Sequence, residues 1–181
     1  MKTPEPTQFF SPTFNRTRVV VLVLFVQDKH RNEEMSEEIQ SLERFVKAQE
    51  EDFSCAISEV RAGRKRSHWM WYIYPQLDRL GRSATAQFYG IRGMGEARAY
   101  LRHPVLGPRL IKSMEAALSV EGRTAEEIFG FPDVLKLRSC ATLFARASEP
   151  GSVFDRVLQK YYDGQADEAT LQLLLDENDQ R

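Results

Sequence analysis

The sequence is poor in the residues from which most recognisable active sites are built. It has two cysteines, Cys55 and Cys140, far apart in the chain, and three histidines. No Walker loop, nucleophile elbow, paired histidines on a helix or Cys-x-x-Cys is present. A disulfide framework and a Cys/His zinc site are therefore excluded, and neither a metal nor a cofactor is expected. Both cysteines read as reduced thiols, which points to the cytoplasm. Long apolar runs are missing too: the longest, Val19 to Val26, falls far short of the roughly 20 residues that cross a bilayer. A secretory signal is rejected, because the charged Asp28-Lys29-His30-Arg31 follows the apolar run where a small-residue cleavage site should be. No membrane partner is expected.

What is there is ordinary in bulk and uneven in detail. The 181 residues, 42% hydrophobic and 28% charged, suit one domain with a sizeable core. The net charge of −1 conceals a division along the chain. Residues 61–112 carry 11 bases against only Asp78 and Glu96, a local excess of +9, while both flanks are acidic. Seven aromatic residues share that block. Gathered on one surface, these side chains would suit phosphates or nucleotides; paired with the acidic flanks, they would only be a solvated face.

Hydrophobic periodicity predicts helices almost throughout. Leu42, Phe45, Val46, Phe53, Ala56, Ile57 and Val60 form one stripe of a long helix, which Gly63 ends. The segment His68 to Tyr74 is too short and too apolar for its period to separate strand from helix, and Pro75 ends it either way. Short helices follow over Ser83 to Ile91 and Glu96 to Arg102, joined by the Gly-rich turn Gly90 to Gly95. Val105 to Val120 is amphipathic. Thr124-Ala125-Glu126-Glu127 is a capping box, Val134 to Ala147 should be the most buried helix, and Ser152 caps the next. The last covers Glu168 to Leu175. The class is all-α, a single compact multihelical domain of about six to eight helices. Residues 1–34 read as an N-terminal extension, either disordered or upstream of a true start at Met35, with 35–181 as the helical domain.

The stretch Arg64-Lys65-Arg66-Ser67-His68-Trp69-Met70-Trp71-Tyr72-Ile73-Tyr74-Pro75-Gln76 is the most unusual in the chain, a basic cluster running into an aromatic one. It holds both tryptophans. Arg64, Lys65 and Arg66 are candidates for phosphate contacts, with Arg92 beside the Gly-rich turn; Trp69, Trp71 and Tyr74 could stack a base or sugar. Two of the aromatics should lie in the core and at least one should line a cleft. His68 and Glu96 are the candidates for proton transfer, each with a structural alternative: a hydrogen-bonded histidine, and a carboxylate at a helix N-terminus. Gln49 interrupts the apolar stripe of the first helix, where a buried amide must find partners or face a site. It should approach His68. The ligand read from this pattern is a phosphorylated or nucleotide-like small molecule; the alternative is an interaction domain, with nucleic acid as the partner. A concave pocket would favour the first and a convex basic face the second. Whether the chain is an enzyme, and its oligomeric state, stay open.

Five stretches resemble the bacterial family catalogued as domain of unknown function 1810, sometimes labelled calpastatin. They are Leu42 to Gln49, Lys65 to Gln76, His103 to Leu110, Ile128 to Gly130 and Lys136 to Ser139. The resemblance covers about Leu42 to Leu175 and leaves residues 1–34 outside. It implies a compact, wholly helical fold and carries no assigned activity or catalytic residues.

Overall fold

The structure, a computed structural model, describes residues 41–179. The expectations for residues 1–34 and for a start at Met35 lie outside the described residues. The first described helix, α1, occupies 41–61, with Leu42, Phe45, Ala56, Ile57 and Val60 buried along the predicted stripe. Gly63 stops it in the left-handed region at φ 69°, its N–H donating to the Val60 carbonyl at 2.8 Å. That conformation costs glycine little and any other residue more.

The ambiguous aromatic segment is a single helical turn, α2 (Met70–Ile73). Trp69 occupies its N-cap position, and no side chain makes a capping bond. A short 3₁₀ turn (Asp78–Leu80) and α3 (Ala84–Phe88) follow, and an isolated parallel bridge joins Leu77 to Ile91. Next come α4 (Met94–Arg102), α5 (Leu106–Leu118) and α6 (Ala125–Phe129), the last with the predicted capping box of Thr124 and Glu127. Then α7 (Asp133–Arg146), α8 (Val153–Tyr162) and α9 (Glu168–Asp179) complete the described chain. Nine α-helices are thus present among the described residues, and no strand; the fold is all-α.

The helix predicted to be most buried is the hub. Leu137 and Ser139 to Phe144 are all inaccessible, and α7 packs against α4, α6, α8 and α9. A file of rings ties the layers together: Phe45 of α1 meets Tyr100 of α4 edge-on at 5.2 Å, Tyr100 meets Phe144 of α7 at 5.4 Å, and Phe144 meets Phe154 of α8 at 5.6 Å. Aromatic pairs at such separations add about 1 kcal/mol each beyond simple burial. Where α5 turns back on α4, Gly107 lies so close to the Leu101 carbonyl that a Cβ would stand 2.1 Å from that oxygen. Only glycine allows the two helices to meet there. All described residues belong to one compact unit.

Candidate functional site

Glu59, near the end of α1, organises the loop that carries the basic cluster. Its carboxylate accepts hydrogen bonds from the Arg66 N–H (2.7 Å), the Ser67 N–H (3.0 Å), the Trp69 indole N–H (2.9 Å) and the Ser67 hydroxyl. Burial alone would raise its pKa. The bonds from Ser67, Arg66 and Trp69 outweigh that and hold the group at about 2. Exposure alternates along the held loop: Lys65, Ser67 and Trp69 turn inward, while Arg64, Arg66 and His68 are exposed. Among the described residues these three have no hydrogen-bond or ion-pair partner for their side chains. They form a held row of cationic and imidazole groups.

The inward half of the cluster is spent on structure. Lys65 pairs with Asp133 at 2.7 Å and lies over the Trp69 ring at 5.2 Å. Asp133 also pairs with Lys136 at 2.7 Å, and Lys136 covers the Trp71 ring at 4.6 Å. Burial raises the Asp133 pKa, but the bonds from Lys136 and Lys65 reverse the shift and lower it. Lys65 therefore clamps the loop to the start of α7, in place of the free phosphate contact expected of it. Trp69 and Tyr74 are fully buried, with the Tyr74 hydroxyl donating to the Ser113 carbonyl at 2.8 Å. They are the two core aromatics, and neither has a face open to a ligand. Trp71 and Tyr72 are half-buried.

A second polar cluster lies along the first half of α1. Gln49, 1% exposed, donates both amide hydrogens, to the Tyr72 carbonyl at 2.7 Å and to the Tyr100 hydroxyl at 2.9 Å. Its Oε1 has no partner among the described residues. One turn on, Arg109 of α5 lies over the Phe53 ring at 5.1 Å, and its Nη1 is likewise buried without a partner. Burial raises the Tyr100 pKa well above the usual tyrosine range, against the pull of the Gln49 bond and of the Arg109 and Arg44 charges. Asp52 accepts from the Tyr72 hydroxyl at 2.5 Å. Nearer the start of α1, Arg44 pairs with Glu96 at 2.9 Å and donates to the Gly90 carbonyl at 2.8 Å. Glu96 also accepts from the Ser41 hydroxyl (3.0 Å) and the Arg92 N–H (2.8 Å). A buried carboxylate held on both oxygens is a helix-starting structural group, in place of the proton-transfer group expected.

A family model described as "Protein of unknown function (DUF1810)" matches residues 39–174. The chain belongs to this family. It is similar to the crystal structure of the conserved hypothetical protein Rv1873 from Mycobacterium tuberculosis, with 51% identity, a TM-score of 0.73, and 74% of this chain and 96% of that one covered. No curated protein matches the chain.

Within this DUF1810 fold, α1 serves as a ruler for the candidate residues. Arg44 holds Glu96 and, through it, Arg92; Gln49 meets Tyr72; Glu59 holds the loop around His68. Arg44 and Glu59 are fifteen residues apart, about 22 Å at 1.5 Å per residue. Gln49 and Glu59 are separated by about 15 Å on the same scale. The single site expected from the sequence is thus spread over three places. Gln49 does meet the aromatic segment, but at Tyr72, while the neighbours of His68 are pinned nearly three turns away. Sequence reasoning missed Arg44, Tyr100 and Arg109. The available signal was Arg109 beside Leu110 and one turn after Leu106, a charge at the edge of an apolar stripe. A cavity of about 390 Å³ lies elsewhere, between the end of α7 and the start of α8, lined in part by Thr142, Arg146, Ser148 and Asp155. None of the residues singled out from the sequence borders it. Among the described residues no helix is long and apolar enough to cross a membrane, and no group of His, Cys, Asp and Glu could hold a metal ion.

Proposed function

We propose that the protein binds the phosphate backbone of nucleic acid through the row Arg64, Arg66 and His68. The observation that supports this reading is the alternation along the loop held by Glu59, which leaves the Arg64, Arg66 and His68 side chains exposed and without a partner among the described residues. The three side chains of the row stand at every second position of a loop that bends at Ser67 and His68. A single phosphate would engage one of its members, whereas a strand carrying a phosphate every 3.4 Å or so of rise can engage all three. A small nucleotide fits less well, because Trp69 and Tyr74 are buried and Lys136 covers a face of Trp71. Contacts to phosphate alone carry little sequence preference. With a net charge of −1 the molecule exerts no long-range pull on a polyanion, so affinity comes from the local row and is sensitive to salt.

The test is fluorescence anisotropy with labelled oligonucleotides of scrambled sequence, beside a thermal-shift screen of nucleotides and sugar phosphates. Binding should weaken with salt, and Arg64→Ala with Arg66→Ala should flatten the logarithmic salt slope by about 1.4 for a single strand. Absence of binding at low salt, or an unchanged slope in the double variant, overturns the proposal.

A further inference from the structure

We propose that the nucleic acid is single-stranded and that one of its unpaired bases stacks on the Phe131 ring, beside the row of Arg64 and Arg66. The inference rests on the phosphate-backbone reading above and adds a base contact to it, which decides between a single strand and a duplex.

Phe131 lies in the connection between α6 and α7. Its side chain is 75% exposed, more than any other large apolar residue described, and Leu135 in the first turn of α7 is 50% exposed. No other aromatic ring packs on Phe131 among the described residues. Two contacts fix where this ring stands. The Lys65 N–H donates to the Ile128 carbonyl at 2.7 Å, and the Lys65 ammonium pairs with Asp133 at 2.7 Å. Lys65 stands between Arg64 and Arg66, and Ile128 and Asp133 stand on either side of Phe131. The basic loop is thus tied to the chain both before and after the ring, which makes the exposed ring a neighbour of the exposed cations. Asp133, the only carboxylate within two residues of Phe131, is countered by Lys65 and Lys136, so it offers a phosphate little repulsion.

An exposed flat ring beside unpartnered cations suits a ligand that carries an apolar face and an anion side by side. An unpaired nucleotide carries both. In a duplex the base faces are stacked on one another, and only phosphates and groove edges are offered. Every base has a π-face, so stacking adds affinity with little sequence preference, in keeping with a site that contacts phosphates. The tryptophans are less suited to the role, since Trp69 is buried and Lys136 covers a face of Trp71. The backbone that presents Phe131 is held as well: the Gly130 N–H donates to the Glu126 carbonyl at 2.8 Å, and the Val134 N–H to the Gly130 carbonyl at 2.9 Å. A ring on a held connection loses little freedom when a base settles on it.

The test is fluorescence anisotropy on the full chain with a mixed-sequence oligonucleotide, as DNA and as RNA, each single-stranded and annealed to its complement. The single strand should bind more tightly than the duplex by about fivefold or more. With whichever backbone binds better, Phe131→Ala should weaken single-strand binding by between about fivefold and a hundredfold, by the same factor at each salt concentration, and leave duplex binding unchanged. Phe131→Trp should keep the affinity, whereas Phe131→Leu, apolar but without a π-face, should not. The ring is exposed, so the Tm of these variants without ligand should match that of the parent. Equal binding of strand and duplex, or undiminished single-strand binding by Phe131→Ala, overturns the stacked base and leaves the phosphate row standing. Absence of binding to either form at low salt overturns both.

Discussion

Two stretches of α1, around Gln49 and around Glu59, handle polar groups in opposite ways. At Glu59 a half-buried carboxylate accepts from Arg66, Ser67 and Trp69, and the side chains left over, Arg64, Arg66 and His68, are the ones water can reach. Around Gln49 and Tyr100 the hydrogen bonds are just as short, yet the Gln49 oxygen is buried without a partner among the described residues. The first arrangement is a rigid support whose free valences face outward. In the second the free valence faces inward, and the fold tolerates its cost.

The largest expected effect tests the support. Trp69→Ala removes a fully buried ring together with a bond to Glu59 and should cost about 3–5 kcal/mol in chemical denaturation. A loss below about 1 kcal/mol would mean that the loop is not anchored through this side chain. Next, the inner cluster should divide unequally. Gln49→Leu removes the donor to the part-buried Tyr72 carbonyl and should cost about 2 kcal/mol, whereas Arg109→Met removes a group with no hydrogen-bond acceptor among the described residues and should cost less than about 1 kcal/mol. Equal losses would show that Arg109 has a structural role the geometry does not reveal.

A smaller effect lies in acid. The Glu59 pKa is about 2 in the folded chain against 4.5 for the free group, so the native state favours the ionised form. Its contribution is complete above pH 4.5 and is lost as the pH falls from there toward 2. Solvent screens contacts so near the surface, so about 1 kcal/mol is expected, read as the difference between the parent and Glu59→Gln across a pH series of melts. Asp133, also lowered, acts in the same direction in both proteins and cancels from that difference.

Much of the fold was legible because helices announce themselves through apolar spacing and caps. The α1 stripe, the Thr124 box, the Ser152 cap and the buried character of α7 all follow from local pattern. The aromatic segment was not, since four apolar residues read alike as a strand or as one helical turn. The candidate site was legible only as composition. Alternation within Arg64 to Trp69 depends on a carboxylate five residues before the cluster begins, and nothing in the sequence says which of three adjacent bases turns inward to meet Asp133. Gln49 stood out because an amide interrupted an apolar stripe; Arg109 stood among eleven bases and did not.

The central claim is that Glu59 arranges the basic row for a phosphate backbone, and one measurement sets preorganisation against charge. Glu59→Gln removes a negative charge beside the cations, which by Coulomb attraction alone should tighten oligonucleotide binding. It also weakens the bonds that hold the loop, which should loosen the row and raise the cost of ordering it. Measured by anisotropy at low salt, with far-UV circular dichroism confirming the fold, the account predicts weaker binding than the parent by several-fold. Binding as tight as the parent or tighter would contradict it.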